Sequence, residues 1–130
     1  NGIHADFIWD MNQSIFGSIT EEFDVAFLLE TLNHIWNPVQ CFENVFSLLK
    51  PGGIVYTSVH FVFPHHTGLD CLRYTSTGLQ KILEETGFKV LEMIPKWALD
   101  AEYLEQYFDK ESKVQYHRGE IGYICSAVKV

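Results

Sequence analysis

The chain contains no G-x-G-x-x-G segment, no internal repeat, no low-complexity stretch and no Pro- or Gly-rich linker. The first absence disfavours a dinucleotide-dependent dehydrogenase, because that glycine pattern is what lets a pyrophosphate approach a helix N-terminus. The others leave 130 residues to be read as one domain, long enough for a hydrophobic core. Apolar runs stay well short of the ~20 residues that span a bilayer, and no secretory signal pattern is present. Positive charge is scarce: nine Lys and Arg stand against 17 Asp and Glu, a net charge of −8. The basic residues are scattered, not striped, which argues against nucleic acid or an anionic membrane as partner. Only three cysteines occur, Cys41, Cys71 and Cys125, with no paired spacing, which points to a reducing, cytoplasmic setting. The sequence does not start with methionine, so a fragment of a longer protein is expected.

What is present is organised around residues 22–58. Asp24 to Leu29 is a nearly continuous apolar run, the pattern of a strand covered on both faces, and it ends in the polar group Glu30, Thr31, Asn33, His34. Asn37 and Pro38 then form a helix start, N-cap followed by a proline pre-set for the first helical position. Phe42, Val45, Phe46 and Leu49 give that helix an apolar face, opposite Gln40, Glu43, Asn44 and Ser47. Pro51-Gly52-Gly53 should end it, and Ile54 to Val59 reads as a second buried strand ending at His60. A right-handed crossover makes the two strands parallel, so Glu30 to His34 and His60 emerge at one sheet edge, where open α/β sheets bind ligands.

The ordered set FDVAFLLETLNH, LLKPGG, IVYTSVH and PHHTGLDCLRYTSTGLQKILEETGFKV resembles the class I, Rossmann-like S-adenosylmethionine-dependent methyltransferases, especially their small-molecule and glycan-modifying branch. The resemblance runs from about residue 5 to residue 130. It implies a three-layer α/β domain whose sheet is mostly parallel with an antiparallel last strand. The first strands and the Gly-rich nucleotide loop of that fold are absent and would precede Asn1. It implies S-adenosylmethionine as cofactor, a small-molecule or sugar-like acceptor, and a fragment that is inactive alone.

In such a protein the short strand candidate Asp6 to Trp9 leads to Asp10 and Met11, for which the resemblance implies contacts with the adenine edge; Asp10 also fits a turn that caps Asn12 or Gln13. Glu30 and His34, with Asn33, would line the mouth beside cofactor and substrate, or simply cap the strand end. The segment Phe61 to Tyr74 holds His65, His66, Asp70, Arg73 and Tyr74 within ten residues. Methyl transfer needs alignment, and a base only when the acceptor must lose a proton; His65 or His66 suits that role, with His60 behind them. Asp70, Arg73 and Tyr74 are the substrate-facing expectation, against which stands a local Asp70–Arg73 pair that pins the loop. Adjacent histidines on an extended segment point apart, so no metal is expected.

Thr75 or Thr77 starts the next helix, with Leu79, Ile82 and Leu83 on its apolar face and Gly87 as exit into the strand Lys89 to Ile94. Leu99, Tyr103 and Tyr107, beside Leu104 and Phe108, make a helical insertion at about 96–118, read as core, lid or interface. Glu120 to Val130 closes the chain as a strand. The edge of the first strand is open in this chain, so either Phe7 to Trp9 lies along it or the chain forms a homodimer through it. The other reading is a non-catalytic remnant of the fold that acts as a binding or dimerisation module.

Overall fold

A computed structural model of the chain describes residues 5–15, 17, 20–65, 68–97 and 120–130. Its elements are β1 (Phe23–Leu29), a 3-10 turn (Leu32–His34), α1 (Pro38–Leu48), β2 (Leu49–His60), α2 (Ser76–Glu85), β3 (Phe88–Trp97) and β4 (Glu120–Lys129). The helical insertion expected at about 96–118 falls, beyond Trp97, outside the described residues; Lys96 and Trp97 themselves belong to β3.

The four strands form one sheet in the order β1-β2-β4-β3. β1 and β2 are parallel, while β4 is antiparallel to both neighbours. Three strands therefore run one way and β4 the other. Because β4 is inserted between β2 and β3, one of the three ladders among the described residues is parallel, although the antiparallel last strand is as expected. Pro95 is tolerated inside β3, opposite Tyr123, because β3 is an edge strand and its missing N–H costs no inner ladder bond.

Local chemistry sets the helix ends. Asn37 caps α1, its side chain accepting from the Gln40 N–H at 3.4 Å, with Pro38 next in line. Thr75 caps α2 through the Gly78 N–H at 3.0 Å. Pro51-Gly52-Gly53 behaves differently from the expected helix stop. The helix already ends at Leu48, and the tripeptide forms a bulge within β2, where Phe23 pairs with Leu49 but Val25 pairs with Ile54. Gly53 is required there, since a Cβ would meet the Lys50 carbonyl at 2.9 Å.

Both helices pack on one face of the sheet. Phe42, Val45 and Leu49 meet Leu79, Leu83 and Phe88 over Val55, Val59, Cys125 and Ala127. Phe88 takes Phe46 and Phe42 edge-on at 5.2 and 6.2 Å. Burial pushes the Cys41 thiol up to about 12 and that of Cys125 to about 11, so both act as small hydrophobes. All three cysteines are free, and Cys71 is exposed.

The opposite face carries no element among the described residues, so these form two layers, not three. Phe23, Val25, Phe27 and Leu29 of β1, with Tyr56 and Ile124, are exposed on it, and Phe27 stacks on Tyr56 at 5.4 Å. Among the described residues the apolar run of β1 is thus covered on one side only. Nor does the Asp6 to Trp9 candidate form a strand: Phe7 and Trp9 stack on each other at 5.0 Å, and the sole described ladder of β1 is with β2. No helix among the described residues is long and apolar enough to cross a membrane.

Candidate functional site

The parallel β1 and β2 deliver their carboxyl ends side by side, and the polar residues expected there gather around one carboxylate. Glu30 leaves β1 in a left-handed conformation (φ 50°), unusual for a residue with a side chain. Its backbone N–H is met by the Ser58 hydroxyl at 3.0 Å and the Ser58 carbonyl at 3.2 Å. Its two carboxylate oxygens are taken by His60 Nε2 and by Lys96 Nζ, the latter at 2.6 Å. Burial works to raise the Glu30 pKa, but hydrogen bonds from Lys96 and Ser58 and the charges of Lys96 and His60 outweigh it and hold the carboxyl below its usual range.

Lys96 reaches Glu30 from β3 by crossing Gly122 of β4. A Cβ at position 122 would lie 2.6 Å from Lys96 Cε and 2.2 Å from the Val59 carbonyl, so only glycine leaves the path open. His60 is held on its other side by Phe63, whose ring lies nearly parallel to the imidazole at 4.0 Å.

The 3-10 turn forms the second wall. His34 Nδ1 lies 2.6 Å from the Leu69 carbonyl, which only accepts, so that nitrogen carries the proton. In the neutral ring Nε2 then accepts from Asn33 Nδ2 at 3.1 Å. This arrangement leaves Asn33 Oδ1 buried with no partner among the described residues. The Asn33 carbonyl accepts from the N–H groups of Cys71 and Leu72, so the turn and the loop after β2 are zipped together.

Within that loop Asp70 and Arg73 pair with each other. The Asp70 carboxylate, fully buried, takes Arg73 Nη1 at 2.5 Å and Nη2 at 2.8 Å. The same guanidinium donates to the carbonyls of Leu72, Phe63 and Pro64. The Asp70 hydrogen bond holds the Arg73 pKa above its ordinary value. Tyr74 is buried, its hydroxyl donating to the Leu32 carbonyl at 3.0 Å, and burial pushes its pKa well above the usual range. His65 is exposed; His66 lies outside the described residues.

Asp10 forms a turn, accepting from the Asn12 N–H and side-chain amide at 3.0 Å each. Asn12 Oδ1 in turn accepts from the Asn37 N–H, which brings Asp10 and Met11 to the start of α1, close after the His34 turn. Asn44, expected on the solvent face of α1, is buried and fastens this segment: it donates to the carbonyls of Gln13 and Met11 and accepts from the Ile15 N–H. Its roles, like that of Lys96, carried no local signal in the sequence, since the partners are 66 positions apart for Lys96 and 29–33 for Asn44. No group of three or more His, Cys, Asp or Glu suited to a metal is present among the described residues.

A family model described as a methyltransferase domain matches residues 4–111. No curated protein matches the sequence. Among solved structures the chain is similar to an S-adenosylmethionine-dependent methyltransferase from Methanosarcina mazei (15% identity, 94% of this chain and 65% of that one, TM-score 0.62). It is similar to another from Mesorhizobium loti (15% identity, 92% and 67%, TM-score 0.64). A third is the Burkholderia thailandensis 1,6-didemethyltoxoflavin-N1-methyltransferase, whose structure holds 1,6-didemethyltoxoflavin and S-adenosylhomocysteine (16% identity, 85% and 45%, TM-score 0.58). At these identities the likeness is one of fold. The chain spans about two thirds of the length of the first two and under half of the third.

Proposed function

The chain belongs to the methyltransferase-domain family, and we propose that it is part of an enzyme that transfers a methyl group from S-adenosylmethionine to a small-molecule acceptor. The observation that carries this reading is the convergence of Glu30, His34 and His60 at the carboxyl ends of two parallel strands, with the Asp10 turn fastened to the same edge.

The residues present fit the cofactor. Asp10 offers an exposed, acceptor-only carboxylate for an exocyclic amine, half-buried Met11 offers apolar contact to a ring, and Asn33 Oδ1 is a buried acceptor lacking a partner among the described residues. Glu30 and His34 complete the cofactor-facing set. The cofactor, when bound, supplies a methyl on a sulfonium that leaves as a neutral thioether. The chain's own task is then to align the acceptor and, for a hydroxyl or amine, to take its proton. His65 and His66 are the acceptor-side bases, and His60, held between Glu30 and Phe63, is the third candidate. Asp70, Arg73 and Tyr74 shape the substrate side by fixing the loop. A cytoplasmic location belongs to the same reading.

The test is calorimetric titration of S-adenosylhomocysteine into this chain and into a version extended upstream in its parent reading frame. Binding by the extended form is expected, with Asp10→Ala weakening it about tenfold, equivalent to ~1.4 kcal/mol. Absence of binding by both forms refutes the proposal.

Among the described residues, the exposed apolar sheet face and the unshared edge of β1 favour one other reading, a non-catalytic binding module or a homodimer joined through that edge. Light scattering across a concentration series, read beside the calorimetry, separates them: a dimer in which neither form binds S-adenosylhomocysteine supports the module.

A further inference from the structure

Among the described residues, the polar groups of the mouth other than Asn33 Oδ1 and Asp10 are committed to one another. Glu30 holds His60 and Lys96, His34 is engaged by Leu69 and Asn33, and Asp70 takes the Arg73 fork. Beside them, among the described residues, this edge presents apolar surface to water: Trp36 is 58% exposed, Phe61 40%, Phe63 38% and Leu69 71%. Leu69 is tied to the His34 turn by its carbonyl, and Phe63 lies flat on His60, its own carbonyl gripped by Arg73. Phe63 and Leu69 are therefore fixed in place. In the same loop His65 is exposed and polar.

We propose that the acceptor bound here is a planar, largely apolar ring system carrying one ionisable hydroxyl or amine, and not a sugar; this rests on the methyltransferase reading of the same site. A sugar also lies on aromatic faces, but each hydroxyl it buries needs a partner; among the described residues Glu30, His34, Asp70 and Arg73 are already engaged, and Asn33 Oδ1 and Asp10 are assigned to the cofactor. A planar ring needs area, which the held Phe63 ring and the exposed rings of Phe61 and Trp36 provide, and a single polar contact to set its orientation, which His65 provides.

The test uses the 130-residue chain with two probes, 7-hydroxycoumarin and methyl α-D-glucopyranoside, followed by saturation-transfer NMR and fluorescence titration. S-adenosylhomocysteine is titrated in parallel. The coumarin is expected to bind and the glucoside not; Phe63→Leu and Phe61→Leu, checked for folding by circular dichroism, should each weaken the coumarin about tenfold. Phe27→Leu, on the opposite, exposed sheet face, should leave it unchanged. Preference for the glucoside, no coumarin binding, indifference to both loop variants, or equal loss in Phe27→Leu each overturns the proposal. Coumarin binding in the expected pattern, with no S-adenosylhomocysteine binding by this chain or by its upstream-extended form, keeps the planar-ligand site and overturns the methyltransferase reading. S-adenosylhomocysteine binding with glucoside preference does the reverse.

Discussion

Replacing Arg73 by Met asks directly whether the loop after β2 is held by its own ion pair. The guanidinium makes two bonds to Asp70 and reaches three backbone carbonyls, those of Leu72, Phe63 and Pro64. The Asp70 side chain is 0% exposed and that of Arg73 29%. Stripping one partner from a buried pair costs ~3–5 kcal/mol, because the remaining charge loses its compensation. Water reaches part of this guanidinium, so about 2–4 kcal/mol is expected for Arg73→Met. Arg73→Lys keeps the charge but loses the fork and should recover less than half of that, on the order of 1 kcal/mol. The assay is urea denaturation with an unchanged m-value. The double variant Asp70→Asn/Arg73→Met should lose less than the two single losses summed, by at least about 1 kcal/mol. A loss under about 0.5 kcal/mol for Arg73→Met, or strict additivity in the cycle, would show that the fork does not hold the loop.

Three further outcomes are expected. Asn44→Ala unpairs the Ile15 N–H and the Gln13 carbonyl; a loss of about 1–3 kcal/mol and rapid hydrogen exchange at Ile15 should follow, and unchanged exchange there would contradict the anchor. Gly122→Ala places a Cβ against the Val59 carbonyl and the Lys96 stem; it should cost about 1–3 kcal/mol in the same denaturation assay, and a loss under about 0.5 kcal/mol would contradict the close approach. The Glu30 carboxyl sits below its ordinary 4.5 in the fold, so its stabilising contribution is complete above that value and fades as the pH falls through the folded value. Glu30→Gln should therefore be less stable than the parent at neutral pH, with the gap closing as the pH falls below 4.5 and through the lowered folded value; a gap that persists in strong acid would count against the ion pair.

Features that depend on neighbours along the chain are legible in the sequence itself. Asn37-Pro38 and Thr75 start their helices as their side-chain chemistry dictates, and Asp70 and Arg73 meet because they are three residues apart. Asp10 makes its turn for the same reason. Features set by distant contacts are hidden there. The composition of residues 49–53 is that of a helix stop followed by a turn, and nothing local shows that β1 captures Leu49 as well as Ile54. Lys96 looks like any solvent lysine until Gly122 opens its path. Asn44 sits on a helix face that is polar by pattern, yet its amide is satisfied by a segment some thirty residues earlier. The alternation of burial along β1 is equally unreadable, because its side chains are apolar on both faces and only the packing shows which face is covered.

The placement of β4 has a consequence for how the chain is made. Its residues 120–129 leave the ribosome after the other three strands, yet they take an interior position between β2 and β3. Until they arrive β3 lacks its ladder partner and β2 offers a naked edge, so the sheet is completed late and through contacts of long sequence separation. Folding of this kind is slow and open to aggregation. Loss of these ten residues would not trim an edge; it would detach β3 and with it the lysine that holds Glu30.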